Sequence, residues 1–330
     1  MPLRKINKII ATNVIKNFNI KKNAAFNFLF NKFGVNKKLS IDDLGYFIGP
    51  IINSGGRLGH SNYGTELLTS DNPTIIKKRS IDLINLNNKR KELEQNILDE
   101  IDFEKIKKKN KNVIIYYKRN INEGLIGIIA ARLKDYFNKP SIILTNSKEF
   151  LKGSARSTSN YNIGHLIKLL FDKKIIEKGG GHNMAAGFTM KNNNIELLDN
   201  FIQKDYSKKN SNSEILFKYD YQISTSALNI NLMNEINKLG PFGNHNSLPI
   251  LFIKNVKIIK SNIINNKHIT VIIKPNLGSS FKSICFNCVN TPIGEYLLSY
   301  KKQINLIAEM NENIWNNKKS IQLNIKDILL

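Results

Sequence analysis

The sequence predicts a mixed α/β domain followed by an all-β barrel, with a long helix ahead of the α/β domain. Residues 112–190 alternate between strand-like and helix-like segments, whereas short strand-like runs between Asn- and Gly-rich turns dominate from about residue 214 onward. The chain has 330 residues, of which 41% are hydrophobic and 23% charged. This length and composition indicate a globular protein of two or three domains and exclude a disordered chain.

The α/β prediction depends on one strand–helix–strand unit. Residues 113–117 form an apolar run of β type, and residues 124–137 carry their apolar side chains on one helical face. Pro140 ends that helix, and residues 141–145 form the next strand. Such a unit predicts a sheet that is covered by helices.

A long helix is predicted upstream, at residues 73–102. It is apolar near both ends and charged in the middle, at residues 87–92. This pattern is typical of a connector between two globular bodies. Ahead of it, residues 1–45 predict two or three short helices.

The C-terminal part predicts a small closed barrel. Strand-like runs occupy residues 215–224, 251–262, 268–277, 280–289, 304–311 and 320–329, and one helix is predicted at 227–239. The OB-fold is the small barrel that binds single-stranded nucleic acid. Four aromatic residues fit either base stacking or the barrel core, and the sequence leaves this open: Phe242, Phe281, Phe286 and Trp315.

The charge of the chain favours polyanionic partners. Lys and Arg number 50 against 26 Asp and Glu, which gives a net charge of +24. Asn, Lys and Ile are abundant along nearly the whole chain, as a drift in base composition would produce, so a local anion site carries more weight than the total charge.

The two cysteines and the N-terminus carry no functional signal. Cys285 and Cys288 form a single C-x-x-C without a second ligand pair, which excludes a recognisable zinc motif. Strand alternation places their sulfurs on opposite faces, as structural residues. The N-terminus lacks a sustained apolar stretch and no run of 18 apolar residues occurs, so we expect a soluble, cytoplasmic protein.

Residues 179–187 are the first candidate site. Three consecutive glycines, including Gly180 and Gly181, predict a loop whose amide groups approach an anion closely, and His182 adds a donor. Upstream, Ser154 and Arg156 lie two residues apart, so in an extended segment a hydroxyl and a guanidinium point the same way. These groups suit a terminal phosphate. A tight turn in a packed domain is the alternative.

Arg57 is the second candidate. Gly55 and Gly56 precede it and predict a turn that presents the guanidinium from a fixed base. An ordinary loop arginine is the alternative interpretation.

Together, the segments around Arg57, at 122–133, at 153–157, at 179–187 and at 240–243 resemble the RecJ family of the DHH phosphoesterases. The resemblance covers essentially the whole chain. It implies a helical remnant of a DHH domain at 1–72, a connecting helix at 73–105, a DHH-associated α/β domain at 106–210 and an OB-fold barrel at 211–330.

The resemblance also implies a function. RecJ proteins are metal-dependent 5′→3′ exonucleases specific for single-stranded DNA, and they act in repair and recombination. By this resemblance, Ser154 and Arg156 hold the 5′-terminal phosphate, with support from His182, Gly180 and Gly181. Arg57 lies at the scissile phosphate, and the barrel guides the strand.

The family binds Mn²⁺ or Mg²⁺ through an Asp-x-Asp, a lone Asp, an Asp-His-His and a final Asp, and we find none of these motifs here. The chain resembles the family from just after the last metal ligand onward. We therefore expect either a truncated reading frame or a split protein with a separately encoded metal-binding half, so that this chain alone supplies substrate binding. Two alternatives are an inactive single-strand-binding protein and a phosphodiesterase for short oligonucleotides.

Overall fold

The computed structural model describes residues 2–210, 218–275, 279–299, 303–315 and 318–329. Its contacts divide the chain into two units. Residues 19–210 form an α/β unit, and residues 2–18 join the described residues from 218 onward in a barrel unit. Backbone and side-chain bonds attach the N-terminal segment within the barrel unit: Leu3 N donates to Asn244 O at 2.8 Å and Arg4 Nε to His245 O at 3.0 Å.

Helices supply most of the first part of the chain, and strands most of the last. The helices are Lys5–Asn17 (α1), Ala24–Lys32 (α2), Gly49–Arg57 (α3), Tyr63–Thr69 (α4), Pro73–Asp99 (α5), Phe103–Lys109 (α6), Glu123–Phe137 (α7), Ile163–Asp172 (α8), Ile195–Asn210 (α9), Ile230–Lys238 (α10) and Pro292–Ser299 (α11). The strands are Ile114–Tyr117 (β1), Ser141–Ser147 (β2), Phe150–Arg156 (β3), Lys178–His182 (β4), Ala185–Lys191 (β5), Tyr221–Ile223 (β6), Ile250–Ile264 (β7), His268–Pro275 (β8), Phe281–Cys285 (β9), Gln303–Trp315 (β10) and Lys318–Leu329 (β11).

The α/β unit is built on a mixed sheet. Among its described residues, five strands follow the order β1-β2-β3-β5-β4. β1 and β2 are parallel and joined by α7, which confirms the predicted strand–helix–strand unit. The other neighbouring pairs are antiparallel. This order leaves β1 and β4 at the two edges.

The two faces of this sheet are covered differently. On one face, which we call the core face, Leu151 and Ala155 of β3 pack with apolar residues of α8 and α9. On the opposite face, α7 packs against β2 and β3, and its Ile129 belongs to one apolar cluster with Ile143 of β2. Toward β5 and β4 this second face becomes exposed, at Gly187 and Gly180.

The long predicted helix is α5, but its middle is not simply solvated. Asn87 and Glu94 are each only 6% exposed. Arg90 donates to both, at 3.2 Å and 2.7 Å, and Arg132 of α7 donates to the second oxygen of Glu94 at 2.7 Å. Charged residues in this stretch therefore tie α5 to α7.

The Gly-Gly ahead of Arg57 does not form the predicted turn. Gly55 and Gly56 lie inside α3, and a Cβ on Gly55 would lie 2.6 Å from His60 O and 3.1 Å from Leu83 Cδ2 of α5. The reason for glycine at position 55 is thus close packing of α3 against the segment that follows it and against α5. Arg57 is the last residue of α3, so a helix end presents its side chain.

The barrel unit closes as predicted. Among the strands described there, β7-β8-β9-β11-β10 are neighbours in that order and β10 pairs back with β7. β6 adds a short parallel pairing on β7. Apolar side chains of these strands, such as Ile253, Val271 and Leu323, fill the interior with α10 and α11 residues. Closure removes the free edges that an open sheet would expose.

The prediction that the two cysteine sulfurs lie on opposite faces was wrong, although both cysteines are structural residues of the barrel core, as predicted. β9 ends at Cys285, and the turn through Phe286 and Asn287, with Asn287 at φ +53, carries Cys288 back toward the core. Both thiols are buried, and Cys288 Sγ donates to Cys285 O at 3.0 Å. Alternation fails here because the strand ends at Cys285, three residues before the second cysteine.

The four candidate aromatics separate by burial. Phe242 and Phe281 pack against the barrel core, whereas Phe286 is 52% exposed. The side chain of Trp315 lies outside the described residues, as do residues 215–217 of the strand predicted at 215–224, whose described part contains β6.

Candidate functional site

The main cavity of the α/β unit lies beside α7 on the exposed part of the sheet. Its volume is about 700 Å³. Cationic, hydroxyl and glycine residues line most of it: Arg57, Lys152, Ser154, Arg156, Lys178, Thr189, and Gly124, Gly127 and Gly187, together with Glu123. This composition favours a phosphate-bearing ligand over an apolar one.

Ser154 and Arg156 converge in this cavity, as their spacing in an extended segment predicts. They belong to β3, and Arg156 Nη1 donates to Ser154 Oγ at 3.3 Å and to Ala155 O at 2.8 Å. Because the serine oxygen accepts from the guanidinium, its own hydroxyl proton remains available for an acceptor. One hydroxyl donor and one guanidinium fork thus face the same space.

Two glycines of α7 form the helical wall of the cavity. A Cβ on Gly127 would lie 2.8 Å from Arg156 Nη2 and 3.2 Å from Ser154 Oγ. A Cβ on Gly124 would lie 2.2 Å from Arg57 O. Asn122 caps this helix, since its side-chain oxygen accepts from Gly124 N at 2.8 Å. The bare helix surface therefore lets both arginine segments approach closely.

Arg57 reaches the same cavity from α3. Its Nη1 donates to Gly124 O at 3.0 Å, which fixes part of the guanidinium and leaves the other donors of the fork. The structure therefore brings Arg57, Ser154 and Arg156 to one place, although 97 residues separate the first from the second.

The arginines of this site carry more positive charge than the protein neutralises. Burial, and then the charge of Arg90, lower the pKa of Arg57, which Glu94 partly offsets. Burial, and then the charge of Arg57, lower the pKa of Arg156. Arginine stays protonated regardless, so the shifts report two guanidinium groups that are partly buried near other cations. A bound anion would compensate their charge.

The three consecutive glycines form the edge strand β4 instead of the predicted loop, and they serve different purposes. A Cβ on Gly179 would lie 2.8 Å from Ile167 and Phe188, and one on Gly181 would lie 2.4 Å from Ala185 O. Both positions need glycine for packing. A Cβ on Gly180 would meet nothing within 4 Å. Packing therefore does not explain Gly180.

Register places Gly180 on the same face as the phosphate-binding candidates. Ser154 lies opposite Gly187 of β5, which lies opposite Gly180 of β4. Residues directly opposite in antiparallel strands share a face. We call this side of β3, β5 and β4 the cavity face; it offers two bare backbone positions next to Ser154.

His182 ends β4 on the cavity face, opposite Ala185, which in turn lies opposite Arg156. Its side chain is exposed and its Nδ1 accepts from Met184 N at 3.3 Å. A neutral ring that accepts at Nδ1 carries its proton at Nε2, so Nε2 is the donor. Gly180, Gly181 and His182 do not line the cavity itself, although Gly180 and His182 share its face.

Sequence reasoning missed four cavity residues: Glu123, Lys152, Lys178 and Thr189. The alternation of β3 would have found Lys152, because it precedes Ser154 by two residues. Finding Thr189 and Lys178 requires the strand register, which pairs Lys152 with Thr189 and Thr189 with Lys178. A single sequence does not reveal that register.

The residues present do not fit the metal site that the resemblance implies. Across residues 2–210, 218–275, 279–299, 303–315 and 318–329, no group of three or more His, Cys, Asp or Glu side chains is arranged to hold a metal ion. Within the same ranges, no helix has both the length and the apolarity needed to cross a bilayer.

Two family models match the chain, one in each unit. Residues 110–208 match the DHHA1 domain, and residues 219–327 match the RecJ OB domain. Each match contains a set of residues described above: the cavity face in the first and the closed barrel in the second.

The chain is also similar to curated exonucleases. The chain is 27% identical over 293 residues to the single-stranded-DNA-specific exonuclease RecJ of Bacillus subtilis, covering 87% of this chain and 36% of that protein. It is 27% identical over 301 residues to RecJ of Haemophilus influenzae, covering 87% of this chain and 52% of that protein. The chain thus spans between a third and about half of the length of these relatives.

The fold also matches a solved structure. Thermus thermophilus RecJ in complex with Mg²⁺ superposes with a TM-score of 0.77 at 18% identity, covering 99% of this chain and 50% of that one. The structure of Thermus thermophilus RecJ in complex with Mn²⁺ gives the same TM-score of 0.77. At this identity the match establishes the fold.

Proposed function

Because this chain belongs to the RecJ-type proteins of the DHH superfamily, we propose that it supplies the substrate-binding part of a 5′→3′ exonuclease specific for single-stranded DNA. The observation that carries the proposal is the convergence of Arg57, Ser154 and Arg156 in one cavity with uncompensated positive charge. A 5′-terminal phosphate provides the dianion that such a site binds.

Ser154 and Arg156 hold the terminal phosphate in this proposal. The serine hydroxyl donates one hydrogen bond, and the guanidinium, already oriented by Ala155 O and Ser154 Oγ, donates through its remaining N–H groups. Gly180 and Gly187 leave room on the cavity face for the first nucleoside. His182 lies at the rim, as a donor from Nε2.

Arg57 serves the scissile phosphate. Its contact with Gly124 O ties the guanidinium to the start of α7, the helix that also packs against Arg156. Both arginines therefore lie against the same helix, α7, so the 5′ end and the bond to be cut are positioned together. This geometry gives the 5′→3′ polarity a structural basis.

Hydrolysis needs paired Mn²⁺ or Mg²⁺ in this reaction class, and the described residues offer no site for them. We propose that carboxylates beyond these residues, on a DHH domain, hold the metals. The second candidate function, a protein that binds single strands without cutting them, is favoured by the same observation. Incubation of the purified chain with single-stranded DNA and Mn²⁺, with and without a RecJ-type DHH domain added, separates the two: cleavage only in the mixture supports the exonuclease.

In this proposal, the barrel unit binds and guides the single strand. Its closed OB-type barrel and the net charge of +24 suit a salt-sensitive contact with single-stranded DNA.

The test of the 5′-phosphate site is a titration of Arg156→Ala and the parent with 5′-phosphorylated and 5′-hydroxyl strands at fixed salt. A charge-assisted contact of about 1.5–3 kcal/mol predicts a loss of about ten- to a hundredfold for the phosphorylated strand. The hydroxyl strand should bind both proteins alike. Lysine at position 156 should restore part of the preference, because a point charge does not reproduce the fork.

Equal losses on the two strands would show that Arg156 is a general backbone contact. The 5′-end pocket would then have to lie elsewhere.

A further inference from the structure

Three rows of residues cross the cavity face, and only two of them are used by the proposed 5′-phosphate site. Arg156, Ala185 and His182 form the first row, and Ser154, Gly187 and Gly180 form the second. The third row is Lys152, Thr189 and Lys178, on the same three strands. All three of its members line the cavity.

We propose that Lys152 and Lys178 form a second anion subsite, which binds an internucleotide phosphate of the same strand whose 5′-terminal phosphate lies at Ser154 and Arg156. The inference rests on the proposed function, because it takes the first phosphate from there. It adds a second group of the ligand that the cavity binds, beyond the 5′-terminal phosphate.

The spacing of the rows fits a ligand with two anionic groups. Arg156 and Lys152 are four residues apart on β3, which places their Cα atoms about 13 Å apart along the strand. Lys152 and Lys178 lie two strands apart, about 10 Å between Cα atoms, so their long side chains can reach one anion from both sides. Thr189 lies between them and adds a hydroxyl.

The row between the two cationic rows is nearly bare. Beyond Ser154 it presents only Gly187 and Gly180, and a Cβ on Gly187 would have Gly153 O, at 3.8 Å, as its nearest neighbour. The strand can cross this backbone while its 5′-terminal phosphate reaches the first row and a phosphate beyond the scissile linkage reaches the third. The bare row thereby accounts for the two glycines that packing does not explain.

The charges of the third row are incompletely matched. Lys152 Nζ lies 3.4 Å from Glu123 Oε2, and each of these side chains is 45% exposed. Lys178 has no ion-pair partner among the residues that the structure describes. The cavity lining at this end thus contains two ammonium groups, of Lys152 and Lys178, and one carboxylate, of Glu123, which leaves a net positive charge.

An ordinary solvated pair of lysines is the competing explanation, since lysine is abundant in this chain. A matched pair for comparison exists on α9: Lys204 and Lys208 are exposed, and Leu198 and Ile202 of that helix pack on the core face. Replacing either pair removes the same charge, but only Lys152 and Lys178 line the cavity.

The experiment compares the full-length parent chain, Lys152→Ala/Lys178→Ala and the control Lys204→Ala/Lys208→Ala in buffer with EDTA. The probes are 5′-phosphorylated oligothymidylates that carry one neutral methylphosphonate at the first, second or third linkage, the unmodified strand and its 5′-hydroxyl form. We expect one neutral linkage to weaken binding to the parent and to the control by about three- to thirtyfold. The double variant should bind the unmodified strand more weakly than the parent does, by the same factor. Its affinity should not change when that linkage is neutral.

The slope of log affinity against log salt should also fall, by about 0.7 for the one phosphate lost, and only in the double variant. Its preference for a 5′-phosphate over a 5′-hydroxyl should remain, because Ser154 and Arg156 are intact. The unfolding midpoint should match that of the control, since both lysines are exposed.

Three results would overturn the subsite: no linkage sensitivity in the parent, unchanged sensitivity in the double variant, or the same loss in the control. A failure of the proposed function has a different signature. The parent would then bind 5′-phosphate and 5′-hydroxyl strands equally, whatever the linkage series shows.

Discussion

The core face and the cavity face of the same sheet use glycine for opposite reasons. On the core face, Gly153, Gly179 and Gly181 are glycines because a Cβ would collide with Phe188, Ile167 or the backbone of β5. On the cavity face, Gly180 and Gly187 have room for a side chain and lack one. A glycine that packing requires reports on the fold, whereas we attribute a glycine with open space beside Ser154 and Arg156 to a ligand that binds there.

The largest expected effect separates the two faces at neighbouring residues. Gly181→Ala should lower the free energy of unfolding by about 1–3 kcal/mol, because its Cβ would lie 2.4 Å from Ala185 O. Gly180→Ala should change it by less than about 1 kcal/mol in either direction. Chemical denaturation of both variants measures the difference.

Titration of the folded variants with single-stranded DNA should give the reverse ranking. Gly180→Ala should bind the strand more weakly than Gly181→Ala does. Equal destabilisation by the two alanines would remove the distinction between the faces.

A second prediction concerns the helical wall of the cavity. Gly127→Ala places a methyl group against Arg156 Nη2 and Ser154 Oγ, which are the ends of side chains and can move aside. Stability should be unchanged or higher, because alanine favours a helix over glycine by about 1 kcal/mol. Preference for a 5′-phosphorylated strand should fall by up to about tenfold, since the guanidinium is displaced.

The same titration on Gly45→Ala provides the control, because a Cβ there would meet nothing within 4 Å. A Gly127→Ala protein that kept the full preference would show that Arg156 binds the phosphate from another position.

The smallest effect concerns Glu123. Its hydrogen bond from Ser147 outweighs burial and, with Lys152 and Lys148, lowers the pKa of its carboxyl, so this group is ionised at neutral pH and competes with an incoming phosphate. Glu123→Gln should therefore tighten strand binding by up to about fivefold, as expected for one exposed ion pair. The gain should disappear at high salt. Weaker binding would instead show that Glu123 holds Lys152 in position.

Periodicity predicted the elements better than it predicted their surroundings. Helix α5, the β1–α7–β2 unit and the closed barrel follow from patterns within the chain, and so does the shared direction of Ser154 and Arg156. Gly55 was misread because His60 O and Leu83 of α5 exclude a Cβ there, and Gly179 because side chains of α8 and β5 do. These contacts depend on how the chain turns and packs, so no local pattern reports them.

The positions of the site residues and their functions are two separate questions. Arg57, Ser154 and Arg156 lie together as the resemblance implied, whereas Gly180 and His182 are neighbours on the cavity face and Gly181 turns toward the core face. Their functions, and the domain boundaries at residues 72, 105 and 210, stay predictions.

The position of β4 at the sheet edge has a consequence for how the site responds to its ligand. β4 is hydrogen-bonded on one side only, and its glycines lose more conformational freedom on ordering than other residues do. Local opening should therefore cost less there than in the central strands. Hydrogen exchange at residues 178–182 should be rapid in the free chain and slow when a strand is bound, so that recognition of DNA and stiffening of this edge are one event.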